Sequence, residues 1–230
     1  MTVPTQPEPV PSVPAPPDPA GFVRAHTQIA SPPLVPEIRL HLATEITPIW
    51  QASEEWLARR NVEPPFWAFA WPGGQATARE LLDRPAQVHG RRVLDFAAGG
   101  GIAAIAAALG GAASVDAAEI DPMAIAAIEL NAALNGVSVH PLAADVVGQP
   151  CRWDLILCGD VCYEAPMTRH ILPWLRRCAA EAEAEVWVAD PGRAYLPTNG
   201  LDEIGRHTVP TSLELEDREV RETRLFRLRG

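Results

Sequence analysis

The 230-residue sequence contains no lysine, and arginine supplies all 19 of its basic residues. Acidic residues number 29, so the formal net charge near neutral pH is −10. A chain with this excess of negative charge has no general electrostatic attraction for nucleic acid or for an anionic membrane surface. The composition therefore predicts that neither is a partner, and it favours a basic partner instead.

Metal sites and disulfides are not expected from the sparse cysteines and histidines. The four cysteines do not form C-x-x-C pairs, and the six histidines are scattered without ligand spacing. Free thiols are typical of proteins that work in a reducing compartment. We therefore expect a cytoplasmic protein with reduced cysteines and no metal.

Long hydrophobic runs are also missing, and the N-terminal stretch has neither the basic region nor the apolar region of a secretory signal. Instead, residues 1–20 contain eight prolines and few large apolar side chains. Such a segment buries too little surface to offset the entropy of ordering it. We assign residues 1–30 to a disordered tail, residues 31–73 to an N-terminal extension and residues 74–230 to the core domain.

The core domain alternates short apolar runs with helical patterns. The strand-like runs are RRVLDF, ASVDAAEI, VSVHPL, WDLILCGD and AEVWVAD, and helical patterns lie between most of them. Helices are also predicted near residues 51–60 and 74–83, with one helix and two strands at the C-terminal end. This alternation predicts an α/β fold with a doubly wound, mostly parallel sheet.

The first strand of the core runs into a glycine-rich turn, VLDFAAGGG, which is followed by a helix. Glycines there let a backbone approach a ligand closely. The dinucleotide fingerprint does not fit, because Asp95 precedes the glycines and the third fingerprint position is Ala104. A P-loop is excluded because no lysine follows. An acidic residue disfavours phosphate but suits S-adenosylmethionine, which carries an ammonium and a sulfonium.

Two further carboxylates end the next strands. Glu119 lies 24 residues after Asp95, where it is predicted to accept hydrogen bonds from both ribose hydroxyls of a bound nucleoside. Asp145 ends the following strand, near the expected position of an adenine amino group. A surface glutamate and a plain turn aspartate are the alternative interpretations of these two residues.

The stretch LILCGDVCYEAP places a carboxylate, Asp160, and a phenol, Tyr163, directly after a strand. Aspartate and glycine are ordinary turn residues, so this segment can be a simple strand end. The alternative is a catalytic group, because the carboxyl edge of a parallel sheet is where α/β proteins bind their ligands.

Several motifs, in this order, resemble those of class I methyltransferases, and within them the electron transfer flavoprotein β-subunit lysine methyltransferase family. The resemblance extends from residue 36 to about residue 196. The motifs are PFWAFAWPGGQA, VLDFAAGGGIAAIAAA, EIDPMAIAAIELNAALN, WDLILCGDVCYE and DPGRAYLP. The resemblance implies a seven-stranded sheet with six parallel strands and one antiparallel strand.

The resemblance also implies roles for single residues. Asp160 would hold the incoming lysine amine, and Tyr163 would line a narrow slot that excludes water. Trp71 and Gly73 would cover the methionine end of the cofactor, and Gly159 would let the strand edge approach it. Arg193, in DPGR, is interpreted either as part of a surface turn or as a substrate contact.

The glycine-rich turn departs from the family pattern at one position. Gly99 and Gly101 are present, but Ala97 stands where the pattern has glycine. Alanine is accommodated there if its φ is negative. The substitution therefore affects the expected geometry of the cofactor, not the expectation that the cofactor binds.

These observations predict a bacterial-type, monomeric protein-lysine N-methyltransferase that uses S-adenosylmethionine. From the resemblance alone, the expected substrate is the β subunit of electron transfer flavoprotein. A ribosomal-protein L11-like methyltransferase is one alternative, although it needs an N-terminal substrate domain larger than the 60-odd residues here. A cofactor-binding scaffold without activity and an NAD-dependent oxidoreductase are the others.

Overall fold

The computed structural model describes residues 18–45, 47, 49–50, 52, 54–59 and 62–230. Residues 1–17 of the predicted tail lie outside this range. In the predicted helix near residues 51–60, the described part contains a helix at Glu54–Ala58.

The N-terminal extension begins with helix α1, Pro19–His26, followed by strands β1, Gln28–Ala30, and β2, Leu40–Leu42. The prediction of a disordered tail is therefore wrong for residues 18–30. Asp18 caps α1 by accepting a hydrogen bond from the Gly21 backbone N–H at 2.8 Å. Val23 is completely buried against residues of a later helix. One cap and a few apolar contacts order this segment.

After β2, the described residues contain seven strands and six helices. The strands are β3 Arg92–Phe96, β4 Ser114–Glu119, β5 His140–Ala143, β6 Leu155–Gly159, β7 Glu185–Asp190, β8 Leu201–Pro210 and β9 Val220–Leu228. The helices are α2 Glu54–Ala58, α3 Pro72–Asp83, α4 Ile102–Leu109, α5 Pro122–Leu134, α6 Ala165–Glu181 and α7 Leu213–Glu216. Short 3-10 turns lie at Phe66–Ala68 and Pro85–Gln87.

The sheet has the strand order β5-β4-β3-β6-β7-β9-β8. Strands β3 to β7 pair in parallel, while β9 pairs antiparallel with both β7 and β8. Six strands therefore run in one direction and one runs against them, as the family resemblance implied. The order reverses between β3 and β6, and in open α/β sheets a crevice for ligands forms at such a switch point.

Apolar side chains cover both faces of the sheet. One face packs against α3 and α4 through Ala76, Leu81 and Ile105, and the other packs against α6 through Trp174 and Leu175. Burial on both faces explains why β6 is almost continuously apolar, as is typical of parallel strands. Among the described residues, no helix is both long and apolar enough to cross a membrane.

The C-terminal hairpin positions charged groups near the switch point. Strands β8 and β9 are joined through the four-residue helix α7. Because β9 pairs with β7, the hairpin lies beside the carboxyl end of β7. Glu216 in α7 and Arg221 in β9 thereby come close to the residues that follow β7.

Candidate functional site

A pocket opens at the switch point, where β3 and β6 end side by side. Its wall combines the glycine-rich turn after β3, the end of β6, the start of α3 and strand β2. The lining residues are Leu40, Leu42, Trp67, Phe69, Ala70, Trp71, Gly74, Asp95, Ala97, Ala98, Gly99, Gly100, Ile102, Ala103, Gly159 and Asp160.

Six of the eleven predicted site residues line this pocket, namely Trp71, Asp95, Ala97, Gly99, Gly159 and Asp160. The other five are Gly73, Gly101, Glu119, Asp145 and Tyr163. Gly101 is part of the glycine-rich turn, while Gly73 and Glu119 each hydrogen-bond to a lining residue. Tyr163 lies against Phe66, whose ring is next to that of Trp71. Asp145 bonds to residues outside the lining, as described below.

The glycine-rich turn uses left-handed backbone at three positions. The φ angles of Ala97, Gly99 and Gly101 are 52°, 55° and 80°. The condition for accommodating alanine without strain, a negative φ, is therefore not met at Ala97. Glycine adopts this conformation freely, whereas in alanine the Cβ lies too close to the following carbonyl oxygen. The backbone of the turn keeps the glycine-type shape, and Ala97 is strained in order to follow it.

Asp95 is a buried carboxyl at the floor of the pocket. Its Oδ2 accepts a hydrogen bond at 2.8 Å from the backbone N–H of Ala104, in the first turn of α4. Burial raises the pKa of Asp95 to about 8, and the hydrogen bond from Ala104 acts in the opposite direction. Asp95 therefore fixes the start of α4 against the end of β3.

Glu119 holds the glycine-rich turn from the neighbouring strand. Its Oε1 accepts from the backbone N–H of Gly99 at 2.8 Å, and its Oε2 accepts from that of Ile120 at 3.1 Å. Burial raises the pKa of Glu119 to about 7, against these backbone hydrogen bonds. The alternative interpretation as a free surface glutamate does not fit these contacts.

Asp145 has the contacts of a turn residue. Its Oδ1 accepts from the backbone N–H of Val147 at 2.9 Å, and its Oδ2 lies 2.9 Å from Nε2 of His170 on α6. The carboxylate is about half exposed. The turn interpretation describes this geometry, and the contact with an adenine amino group stays a prediction.

Asp160 is the carboxylate at the end of β6, and two groups hold it. The backbone N–H of Gly73 donates to its Oδ2 at 2.5 Å, and Nη2 of Arg193 donates to its Oδ1 at 3.0 Å. Burial raises the pKa of Asp160 to about 6, although the Arg193 guanidinium opposes this rise. Asp160 also has a left-handed backbone, with φ of 56°.

Two glycines let the start of α3 approach the ends of β6 and β7. A Cβ on Gly73 would lie 2.5 Å from Oδ2 of Asp160 and 2.6 Å from the carbonyl oxygen of Ala189. A Cβ on Gly159 would lie 2.9 Å from the backbone nitrogen of Gly74. Close approach was predicted at both positions, but the partner in the structure is protein backbone and Asp160.

Arg193 belongs to a chain of ion pairs that extends away from the pocket. Its guanidinium contacts Asp160 and Glu216, and Glu216 in turn contacts Arg221. The Glu216 side chain is only 1% exposed. The motif DPGR drew attention to Arg193, and the surface-turn interpretation is wrong because this side chain is largely buried. No sequence signal pointed to Glu216.

Aromatic side chains surround the mouth of the pocket. The ring of Phe66 lies 6.1 Å from that of Trp71 and 6.2 Å from that of Tyr163. The indole Nε1 of Trp71 donates to the carbonyl oxygen of Phe66 at 2.8 Å, which fixes the ring. Phe66 and Tyr163 are each about half exposed. Together these three rings form a narrow, partly exposed rim.

Trp67 is a pocket residue that the sequence did not identify. It is 1% exposed, and within the described part of the chain its indole Nε1 is buried without a hydrogen-bond partner. A buried donor without a partner is costly. A polar ligand in this pocket is one way to satisfy it.

The arrangement fits a cationic ligand that carries hydroxyl groups. Carboxyl groups lie at the floor and beside the turn, the glycine-rich backbone forms part of the wall, and aromatic faces lie at the mouth. Within the described residues, no three histidine, cysteine, aspartate or glutamate side chains are grouped to hold a metal ion. The chemistry of the site is that of carboxylates, backbone amides and aromatic rings.

Comparison with known proteins gives consistent results. The family model described as ribosomal protein L11 methyltransferase matches residues 76–159. Electron transfer flavoprotein β-subunit lysine methyltransferase of Xenopus laevis is 42% identical over 197 residues, which cover 84% of this chain and 76% of that protein. The protein of the same name from Homo sapiens is 37% identical, and the match covers 86% of this chain and 75% of that protein.

Among solved structures, magnesium protoporphyrin IX methyltransferase from Synechocystis, determined with bound S-adenosylmethionine, superposes with a TM-score of 0.51. The match covers 67% of this chain and 78% of that chain, at 16% sequence identity. This likeness supports the fold.

Proposed function

The chain belongs to the electron transfer flavoprotein β-subunit lysine methyltransferase family, and we propose that its substrate is the β subunit of electron transfer flavoprotein. The enzyme is an S-adenosylmethionine-dependent protein-lysine N-methyltransferase. Two features of the site support the assignment of its parts: a pocket built on a glycine-rich turn, and a carboxylate at the edge of that pocket.

The pocket residues fit S-adenosylmethionine. A Cβ on Gly99 would meet only the Cα of Trp67, at 3.8 Å, so the turn is open at this position. Within the described residues, the buried indole N–H of Trp67 has no partner and calls for a polar one. Glu119 holds Gly99 through one oxygen, and its second oxygen accepts from the adjacent backbone N–H of Ile120 at 3.1 Å. A ribose hydroxyl bound to Glu119 would therefore be held by the same group that shapes the turn.

The proposed methyl transfer depends on Asp160. When bound, S-adenosylmethionine supplies an activated methyl group on a sulfonium. Methyl transfer needs the lysine amine to be neutral and aligned with that methyl group, about 3 Å from it. Asp160 lines the pocket and is anchored on two sides, so its carboxylate can orient an incoming amine. Tyr163 and Phe66 would confine the aliphatic part of the lysine.

The ribosomal-protein alternative has less support. The family model that bears that description matches only the 84 residues between 76 and 159, which form the cofactor half of the core. The described residues before position 72 form one eight-residue helix, two three-residue strands and two shorter turns or helices. We therefore keep the flavoprotein subunit as the proposed substrate.

The test is mass spectrometry of purified electron transfer flavoprotein after incubation with the enzyme and S-adenosylmethionine. We expect mass increments of about 14 Da, one per methyl group transferred, on lysines of the β subunit. A parallel reaction with ribosomal protein L11 examines the alternative. Methylation of L11 alone would contradict the proposed substrate. If the enzyme binds the cofactor but methylates neither protein, both substrates are rejected, while the assignment of a cofactor-binding methyltransferase fold is unaffected.

A monomeric state and a cytoplasmic location stay predictions. Size-exclusion chromatography with light scattering measures the first. Imaging or fractionation of the tagged protein in its own cells measures the second.

A further inference from the structure

Arg193 bridges two carboxylates at the edge of the pocket. Its Nη2 donates to Oδ1 of Asp160 at 3.0 Å and to Oε1 of Glu216 at 2.5 Å, and its Nη1 donates to Oε2 of Glu216 at 3.2 Å. The guanidinium is thus bidentate toward Glu216 and makes a single contact with Asp160. A planar guanidinium held in this way has little rotational freedom.

Glu216 is itself held in place. Nε of Arg221 donates to its Oε2 at 3.0 Å, and Nη2 of Arg221 donates to its backbone carbonyl at 2.8 Å. A carboxylate that is 99% buried is tolerated only when charges and hydrogen bonds compensate it. Since α7 has only four residues, these contacts are what tie Glu216 to the sheet.

The backbone of Arg193 is fixed as well. Its N–H and that of Gly192 donate to Oδ1 of Asp190, at 2.6 and 2.7 Å. The turn after β7, the guanidinium and helix α7 therefore form one connected unit. Asp160 is the member of this unit that lines the pocket.

The charged and titratable groups that face Asp160 come from several elements. The turn after β7 contributes Arg193, the end of β7 contributes Asp190, and the loop after β6 contributes Cys162. Helix α3 contributes only the backbone N–H of Gly73. Arg193 is therefore the cation that contacts Asp160 directly, and Asp190 acts against it.

This arrangement addresses a conflict in the chemistry. A bare carboxylate beside an amine favours the ammonium form, which is not a nucleophile. A cation in contact with the carboxylate weakens that preference, because it offsets part of the negative charge. The same cation keeps a buried carboxyl ionised, so that it can still accept a hydrogen bond from the amine.

We propose that Arg193 is a positioning residue for methyl transfer, which fixes and charge-balances Asp160 and is itself anchored by Glu216. The proposal rests on the function proposed above, since it assigns Arg193 a part in the same reaction. It concerns a residue that acts through Asp160 and not through the cofactor.

The first experiment follows the Asp160 carboxyl itself by carbon NMR of protein labelled with ¹³C-aspartate. The signal is assigned by its loss in Asp160→Asn. In Arg193→Gln we expect the titration midpoint of Asp160 to rise by about one pH unit or more. Arg193→Lys keeps the charge and should shift it less. Arg206→Gln removes an exposed arginine of the same hairpin, paired with Glu203 and Glu222, and should not shift it.

The second experiment measures kcat/KM for lysine methylation against pH, with the cofactor dissociation constant as a folding control. In Arg193→Gln we expect a loss of about tenfold or more at pH 7 that shrinks toward pH 9, with cofactor affinity within a few-fold of wild type. Glu216→Gln keeps the charge of Arg193 but removes its bidentate anchor, so we expect a smaller loss of kcat/KM that is similar at pH 7 and pH 9. Arg193→Lys should recover part of the activity.

The outcomes separate the two proposals. An unchanged Asp160 titration in Arg193→Gln would overturn the role of Arg193, as would a shifted titration with an unchanged pH profile of kcat/KM. If Arg193→Gln does not fold, the decision passes to Glu216→Gln and Arg193→Lys, and wild-type behaviour in both overturns the role. Absence of lysine methylation by the wild-type enzyme, with intact cofactor binding, would instead reject the proposed function.

Discussion

The backbone N–H of Gly73 donates a hydrogen bond of 2.5 Å to Oδ2 of Asp160, which lies 87 residues further along the chain. The contact joins the first turn of α3 to the end of β6. It uses one of the N–H groups that every helix leaves unpaired at its start, and such groups favour a negative charge. The orientation of Asp160 therefore depends on how closely α3 approaches the sheet.

This dependence predicts a large effect of Gly73→Ala. The added Cβ would meet Asp160 and the Ala189 carbonyl at 2.5–2.6 Å, and neither can move freely. We expect the free energy of unfolding to fall by about 1–3 kcal/mol, as is usual for overpacking, together with a lower kcat. Urea denaturation and steady-state kinetics measure the two effects.

Gly74→Ala is the matched control for Gly73→Ala. Its Cβ would meet the Cγ2 methyl of Ile102 at 2.8 Å, but no backbone atom and no atom of Asp160 within 4 Å. We expect a smaller loss of stability. Equal losses of kcat in the two variants would contradict the special role of the contact between Gly73 and Asp160.

Asp160→Asn should remove the charge that orients the amine while keeping the shape of the side chain. We expect kcat to fall by about 100-fold or more, because misplacing a reactant costs that much. The cofactor dissociation constant should stay within a few-fold, as measured by calorimetry. Asp202→Asn, at an exposed position of β8, is the control. Wild-type kcat in Asp160→Asn would exclude the proposed role.

Glu119→Ala should weaken cofactor binding. The variant loses the proposed ribose contact and the hydrogen bond that fixes Gly99, so we expect a cost of roughly 1–3 kcal/mol in binding free energy. Glu119→Gln keeps an acceptor for Gly99 and should cost less. Isothermal titration with S-adenosylmethionine measures both. An unchanged dissociation constant in Glu119→Ala would count against the ribose assignment.

The raised pKa of Asp95 should make the stability of the protein depend on pH. Its pKa is about 8 in the folded protein, above the ordinary value of 3.8, so the folded state keeps a proton that the unfolded state releases. The contribution of Asp95 to the free energy of unfolding therefore falls as pH rises from about 4 to about 8.

Asp95→Asn should flatten this slope. The expected difference between the variant and wild type, compared at pH 5 and pH 8, is roughly 2–4 kcal/mol. Urea denaturation of the protein without cofactor at the two pH values measures it. A slope identical to that of wild type would show that Asp95 does not hold the proton.

Ala97→Gly should stabilise the protein, because glycine removes the strain of a left-handed alanine. The gain is about 0.5–1 kcal/mol, since glycine also raises the entropy of the unfolded chain. Ala98→Gly is the control: Ala98 is buried and has no left-handed φ, so the same change should destabilise. We expect the change in the free energy of unfolding, measured by thermal or urea denaturation, to have opposite signs in the two variants. The same sign in both would contradict the proposed strain at Ala97.

The sheet was predictable because its strands are bounded by residues that break helices and strands. Gly110 and Gly111 end α4, and Asp121 with Pro122 begins α5, as the sequence indicated. Helix α1 was not predicted, since the prolines before it dominate the composition. Its order comes from packing on α5, a contact that composition does not reveal.

The candidate site was only partly predictable. Motif positions identified Asp160 and the glycine-rich turn, because their residue types stand at fixed distances from strand ends. The partners of Asp160 were not predicted, since Gly73 and Glu216 reach it or its arginine from elements far apart in sequence. The left-handed φ of Ala97 was also not predicted, because alanine rarely adopts that conformation.

The left-handed φ of Asp160 has a consequence for which acid this position accepts. Aspartate and asparagine tolerate that conformation better than most residues other than glycine, because their short polar groups bond to nearby backbone. Glutamate would carry the same charge, but it lacks this tolerance and its longer side chain would overshoot the Gly73 N–H. The fold thus selects between two chemically equivalent carboxylates by the bend of the chain beneath them.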